Sequence, residues 1–222
     1  MIFTVSYSQE KDIWNYLHAG WKNTFRKYGR ENLQEKLLEK FPPIFKQDLA
    51  AAKTEAEAKQ VVEHFLNRKP AEYQHITDLA IKVAQLILDE EKDAITSSLE
   101  AAYQESFPFD EITVYLTTFP ICPYNYEERW FMAGRNSSVA GFISTAKHEL
   151  NHFMFYYYYL DELTKRGLNK EKREQLKEAL AILTNPEGTD KPAVKELENY
   201  IKPLAGKPIR EIIEACWQSG LL

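Results

Sequence analysis

Residues 148–152 read His-Glu-Leu-Asn-His, within the stretch "TAKHELNHFMFYYYYL" at 145–160. Two histidines four residues apart on a helix project from one face with their Cβ atoms about 5–6 Å apart, close enough to grip one ion. Glu149 is rotated from that face by a single residue. This spacing lets a zinc ion take two neutral imidazoles while the glutamate carboxylate reaches a water in the open coordination position rather than the metal. Zinc lowers the pKa of such a water towards about 7, and the carboxylate takes its proton as a polarised carbonyl is attacked. With 5 histidines in 222 residues, a chance HExxH is expected in roughly one such chain in a hundred. The pentapeptide therefore needs an element that positions it.

The surrounding pattern predicts one. Val139, Ile143, Ala146 and Leu150 recur at helical spacing, and Ser138 stands where an N-cap belongs, so a helix beginning near residue 138 carries the motif in its middle. Before it, "EITVYLTTF" (111–119) is β-branched and aromatic, with alternation at Ile112, Val114 and Leu116, and reads as a strand. A weaker strand fits Arg129 to Ala133. Apolar residues at three- and four-residue spacing predict helices over 9–28, 31–40, 55–68 and 71–104, with Pro70 at the start of the last and Leu79, Val83, Leu86 and Ile87 lining one face of it. Further helices fit 170–184, stopped by Asn185-Pro186-Glu187-Gly188, and then 191–202 and 208–218. There are no internal repeats and no low-complexity segments. The layout is helices, a small sheet, then helices: a mostly helical α+β fold.

With "HELNH" on a capped helix behind a strand-rich segment, residues 111–184 resemble the zincin superfamily of metallopeptidases. The resemblance implies a small sheet packed on the active-site helix, with "EITVYLTTF" as an edge strand to which an extended peptide substrate adds, a bound zinc ion, and hydrolysis of peptide bonds with Glu149 as general base. With the helical spacing before it, the chain is expected to divide into a helical N-terminal region (1–105) and a zincin-like catalytic region (106–222) forming one compact unit. A metzincin continuation needs Gly at 155 and His at 158, where this chain has Phe155 and Tyr158. The third ligand must come from another element, since Asp161 and Glu162 lie roughly 13–15 Å along the helix from His152 at 1.5 Å per residue. The next helix offers Glu171, Glu174 and Glu178. Glu178 opens the run Ala179-Leu180-Ala181-Ile182-Leu183, apolar on every side, so its carboxylate is the one that needs a buried partner. This looks like the gluzincin branch, where a glutamate on the following helix completes the site with the two histidines. In that branch an acidic residue follows the ligand, whereas Ala181 and Ile182 stand here. Glu174 as ligand with Glu178 as its support is the alternative.

Other residues carry weaker signals. Tyr156 and Tyr159 continue the histidine face while Tyr157 and Tyr158 point elsewhere, and tyrosines on a buried helix are core residues first. Tyr124, Tyr126, Tyr156, Arg135 and Tyr200 are the candidates to stabilise an oxyanion. His18, His64 and His75 sit singly on helices. Two other functions fit parts of the pattern. Glu149/His152 with Glu72/His75 makes two ExxH half-sites of a di-iron carboxylate bundle, with Glu100 or Glu178 supplying further carboxylates, but this leaves His148 without a role. A zincin-like binding module without turnover would be free to lose Glu149.

Composition narrows the partners. A formal net charge of −5 gives no electrostatic footprint for nucleic acid or anionic membrane. The N-terminal "MIFTVSYSQEKDIW" has neither a basic n-region nor a long apolar core, and no apolar stretch is long enough to span a bilayer. Cys122 and Cys216 lie far apart and outside any CxxC pattern, so free thiols and a cytoplasmic location are expected. The expected partner is a peptide or protein substrate; the pattern does not address oligomeric state.

Overall fold

A computed structural model of the 222-residue chain describes residues 1–24, 32–68, 72–185 and 191–222. The fold is mostly helical with one small mixed sheet. β1 (Ile2–Ser6) leads into α1 (Gln9–Asn15), which runs on into a π-helical segment (Tyr16–Trp21). Then follow α2 (Leu33–Leu38), α3 (Pro43–Ala51), α4 (Glu55–Asn67) and the long α5 (Glu72–Tyr103). β2 (Glu111–Thr117), β3 (Tyr124–Asn125) and β4 (Trp130–Gly134) precede α6 (Val139–Lys165), α7 (Lys170–Leu180), α8 (Lys195–Ile201) and α9 (Ile209–Gln218). Pro70 and the residues Pro186-Glu187-Gly188 lie outside the described residues. No helix among the described residues is long and apolar enough to cross a membrane.

The sheet order is β1-β2-β4-β3, with β1 and β4 parallel to β2 and β3 antiparallel to β4. Ile112, Val114 and Leu116 of β2 are buried as their alternation requires. Two expectations are corrected here. β2 is an interior strand, flanked on both sides, so "EITVYLTTF" has no free edge to offer a peptide; the terminal strands are β1 and β3. The N-terminal region is also not wholly helical, because β1 closes one side of the sheet from its first residues. β1's outer edge is covered in turn: Gln85 of α5 accepts from Val5 N–H at 2.9 Å and donates to the Phe3 carbonyl at 3.0 Å, imitating a further strand. Such covering protects an edge that would otherwise pair with other chains.

One hydrophobic cluster joins the sheet to α5, α6, α7, α8 and α9; a second joins α1, the π-helical segment, α2, α3 and α4. Phe119, just past β2, enters the second cluster, with its ring centroid 4.7 Å from Tyr16 and 5.5 Å from Phe41. Gly20 lets that ring in, since a Cβ there would meet it at 3.2 Å. The predicted face of α5 is turned the wrong way. Leu79, Val83 and Leu86 are exposed and Ile87 is half-buried, while Ala84, Leu88, Ile95 and Leu99 face the core. Thr77 is buried on this side because its hydroxyl is satisfied, accepting from Arg135 at 3.2 Å and donating to the Tyr73 carbonyl at 2.9 Å.

Polar bonds tie the N-terminal helix to the strand that leads to the site. The buried Asp12 carboxylate accepts from the Thr117 hydroxyl (2.6 Å), the Thr118 amide (3.0 Å) and hydroxyl (2.7 Å), and the Tyr7 hydroxyl (3.1 Å). Asn15 donates to the Thr117 hydroxyl at 3.0 Å and the Ile121 carbonyl at 2.8 Å. Buried donors left unpaired cost about 1–3 kcal/mol each. Asp12→Ala should therefore lower unfolding stability by at least about 2 kcal/mol in urea titration, and Asp12→Asn by less; a loss within about 0.5 kcal/mol, as for an ordinary surface change, would mean the network does not hold this end of β2.

Candidate metal centre

α6 starts where its cap dictates: the Ser138 hydroxyl accepts from Gly141 N–H at 3.1 Å. Ten residues on, His148 and His152 stand one turn apart with ring centroids 4.4 Å apart. Their helix ends in a Schellman turn, with Gly167 at φ +86°, its N–H bonded to the Thr164 carbonyl at 3.0 Å and Leu168 N–H to Leu163 at 3.0 Å. Glycine adopts that left-handed conformation without the penalty a Cβ brings. Asn169 then caps α7, accepting from Lys172 N–H at 2.9 Å. Two helices joined by so short a link must pack side by side, and α7 brings Glu178 against the histidines.

Glu178 Oε2 lies 3.4 Å from His148 Nε2 and 3.5 Å from His152 Nε2. One donor atom from each of the three residues falls within 4.8 Å of the others, a group that could hold a metal ion. The donor set fits one: two imidazole nitrogens and one carboxylate oxygen on rigid helices, with a cleft on the open side. Glu174, the alternative ligand, lines the same cleft but stands outside this group: its carboxylate accepts from Tyr156 OH at 2.7 Å and from Lys177 Nζ at 2.9 Å. Glu171 is exposed. Glu72 and His75 are exposed near the start of α5 and belong to no such group among the described residues.

The electrostatics suit ligation. Burial holds His152 well below the ordinary histidine pKa, in the neutral form a metal needs. Burial works against the Glu178 charge, but His152, Lys177 and hydrogen bonds from both histidines outweigh it and hold the carboxyl well below its usual range. Glu149 is 6% exposed, and one of its oxygens has no hydrogen-bond partner. Burial, reinforced by the Glu178 charge, raises its pKa to about 7 against the pull of His148 and two lysines.

Two lysines that sequence reasoning passed over complete the surroundings. Lys177, 2% exposed, pairs with Glu178 Oε1 at 3.4 Å. Burial opposes its charge, yet Tyr124, Glu178, Tyr156 and Glu174 hold its pKa well above normal. Lys191 pairs with Glu178 Oε2 from the cleft side. For Lys177 the one local signal is its place directly before Glu178, at the head of the apolar run; for Lys191 there is none.

The cleft, about 690 Å³, is lined by the three candidate ligands and Glu149, by Trp14, Pro120 and Ile121, and by Tyr124, Tyr126 and Tyr156. Of the oxyanion candidates these three tyrosines reach it. Arg135 stacks instead on Tyr73, 3.8 Å from its ring centroid, and Tyr200 donates to the Ala215 carbonyl. Of the remaining tyrosines, Tyr157 is exposed, Tyr158 donates to the Ser106 carbonyl and Tyr159 packs in the core. Cys122 also lines the cleft, its thiol pushed up to about 12 by burial and by Glu149, while Cys216 is buried; both are free.

Calorimetric titration of chelator-treated protein should give one divalent cation per chain. Glu178→Ala should weaken its binding by orders of magnitude, Glu174→Gln by the roughly 10–100-fold typical of a supporting residue, and Glu171→Ala not at all. Equal losses for Glu174 and Glu178 would show that Glu178 is not the direct donor. Set against protein-family models, curated proteins and solved structures, the chain matches none.

Proposed function

We propose that this chain is a zinc-dependent metallopeptidase of gluzincin-like arrangement, with His148, His152 and Glu178 as metal ligands and Glu149 as general base. The observation that carries this reading is the approach of one Glu178 oxygen to both Nε2 atoms, 3.4 and 3.5 Å away, with a buried carboxylate one residue from His148. Zinc held there would supply Lewis acidity, making water acidic near neutral pH and polarising a substrate carbonyl.

The protein's own groups do the rest. Glu149 lines the cleft with a buried carboxylate one residue from His148, placed to accept a proton and then release it. It takes a proton from water as the oxygen adds to the carbonyl carbon, and gives a proton to the amine as the carbon–nitrogen bond breaks. Tyr126 lines the same cleft and is the candidate donor to the oxyanion, since the hydroxyls of Tyr124 and Tyr156 are engaged with Lys177, Glu174 and each other. Backbone recognition falls to β3, the short terminal strand, whose two residues line the cleft beside the histidines. An extended peptide can add to such an edge by main-chain hydrogen bonds.

Glu149→Gln separates an enzyme from a binding module. A general base contributes to turnover without holding the ion, so this variant should keep its zinc and its fold while hydrolysis of an unstructured peptide pool falls by at least about 10²–10⁴-fold. Zinc-replete wild type that cleaves nothing in such a pool would leave the site structural or ligand-binding.

A further inference from the structure

Two lysines meet the two oxygens of Glu178, and they differ in kind. Lys191 reaches Oε2, the oxygen that also faces both histidines, and its side chain is 15% exposed at the cleft. Its ammonium can withdraw towards solvent when a cation takes that oxygen. Lys177 reaches Oε1, and its side chain is only 2% exposed.

Lys177 cannot withdraw in that way, because every side of its ammonium is taken. Besides Glu178 Oε1 at 3.4 Å, it donates to Glu174 Oε2 at 2.9 Å and to the Tyr124 hydroxyl at 2.5 Å, with the Tyr156 hydroxyl at 3.5 Å. The two tyrosine hydroxyls bond each other at 3.0 Å, and Tyr156 donates to Glu174 at 2.7 Å. The cluster thus joins β3, α6 and α7. Removing one member of a buried charged network leaves the others uncompensated, so such a network holds its geometry.

We propose that Lys177 is a positioning residue that keeps Glu178 a one-oxygen ligand, holding Oε1 away from the ion so that only Oε2 is offered. This rests on the metallopeptidase reading. A carboxylate free to turn can bind through both oxygens, and the second oxygen occupies a coordination position that water and substrate need. Three protein donors and an open position are the mark of catalytic zinc sites. Glu174 has a matching part: its Oε2 accepts from the same ammonium at 2.9 Å and helps to fix it.

Cobalt reports the difference, since a four-coordinate Co²⁺ ion absorbs intensely in the visible and a five-coordinate one weakly. Chelator-treated full-length protein is titrated with Co²⁺ alone, as wild type, Lys177→Met and Lys177→Arg. The expected result is one Co²⁺ per chain in all three, with intense bands in wild type, weak bands in Lys177→Met and intense bands restored in Lys177→Arg. Peptide hydrolysis by the zinc forms should fall about 10–100-fold in Lys177→Met, as for other residues that orient a ligand. Should Lys177→Met fail to fold, Lys177→Gln, shorter and uncharged, takes its place with the same weak bands expected. Identical bands in wild type and in the folded variant would overturn the proposal and leave the metal site standing, as would a variant that loses Co²⁺ altogether. A wild type that binds no Co²⁺ would overturn the metallopeptidase reading and this proposal with it.

Discussion

A carboxylate buried between two helices has to be compensated, and the region around the cleft is arranged to do so for Glu178. An unpaired buried charge costs several kcal/mol, and removing one partner of a buried pair typically costs about 3–5 kcal/mol. Glu178 meets the requirement with four groups: the Nε2 atoms of His148 and His152, and the ammonium groups of Lys177 and Lys191. Those partners come from α6, from α7 itself and from the segment before α8. The helical packing of the C-terminal half is thereby tied to one side chain. The same carboxylate and imidazoles form the group that could hold a metal ion.

Around that point several local bonds fix the elements that form the cleft. The Schellman turn at Gly167 and the Asn169 cap set the register of α7 against α6. Asp12 and Asn15 pin residues 117–121, so the segment running to Tyr124 starts from a fixed place. Tyr124 then closes the circuit, its ring centroid 5.1 Å from His152 and its hydroxyl on Lys177. The N-terminal helices thus reach the site through backbone they hold, with Trp14 as their direct contribution to the cleft wall.

What the sequence disclosed follows the range over which each signal acts. Ser138, the helical spacing after it and the alternation of Ile112, Val114 and Leu116 are local patterns, and the structure has α6 and β2 there. Glu178 stood out because a charge at the head of an apolar run must be buried and paired. β1 did not stand out, since five residues become a strand only by pairing with β2, more than a hundred residues away. The face of α5 was misread because apolar spacing says which residues share a side but not what covers that side; Gln85 and the buried Thr77 turn it the other way. Lys177 was hidden for a related reason: lysine is normally read as solvated, and only the surrounding tyrosines and carboxylates make its burial affordable. The zincin-like reading of β2 as an edge strand fails because β2 is interior, and the terminal strand beside the cleft is β3.

Everything turns on whether one ion sits between α6 and α7. A crystal structure of the zinc-loaded protein, with anomalous differences measured on either side of the zinc absorption edge, tests this most directly. A single peak per chain is expected, bonded to His148 Nε2, His152 Nε2 and the Oε2 atom of Glu178, with Lys191 drawn back and Glu149 close by but not bound. A chain without a peak at that point, or two peaks bridged by carboxylates, would contradict it.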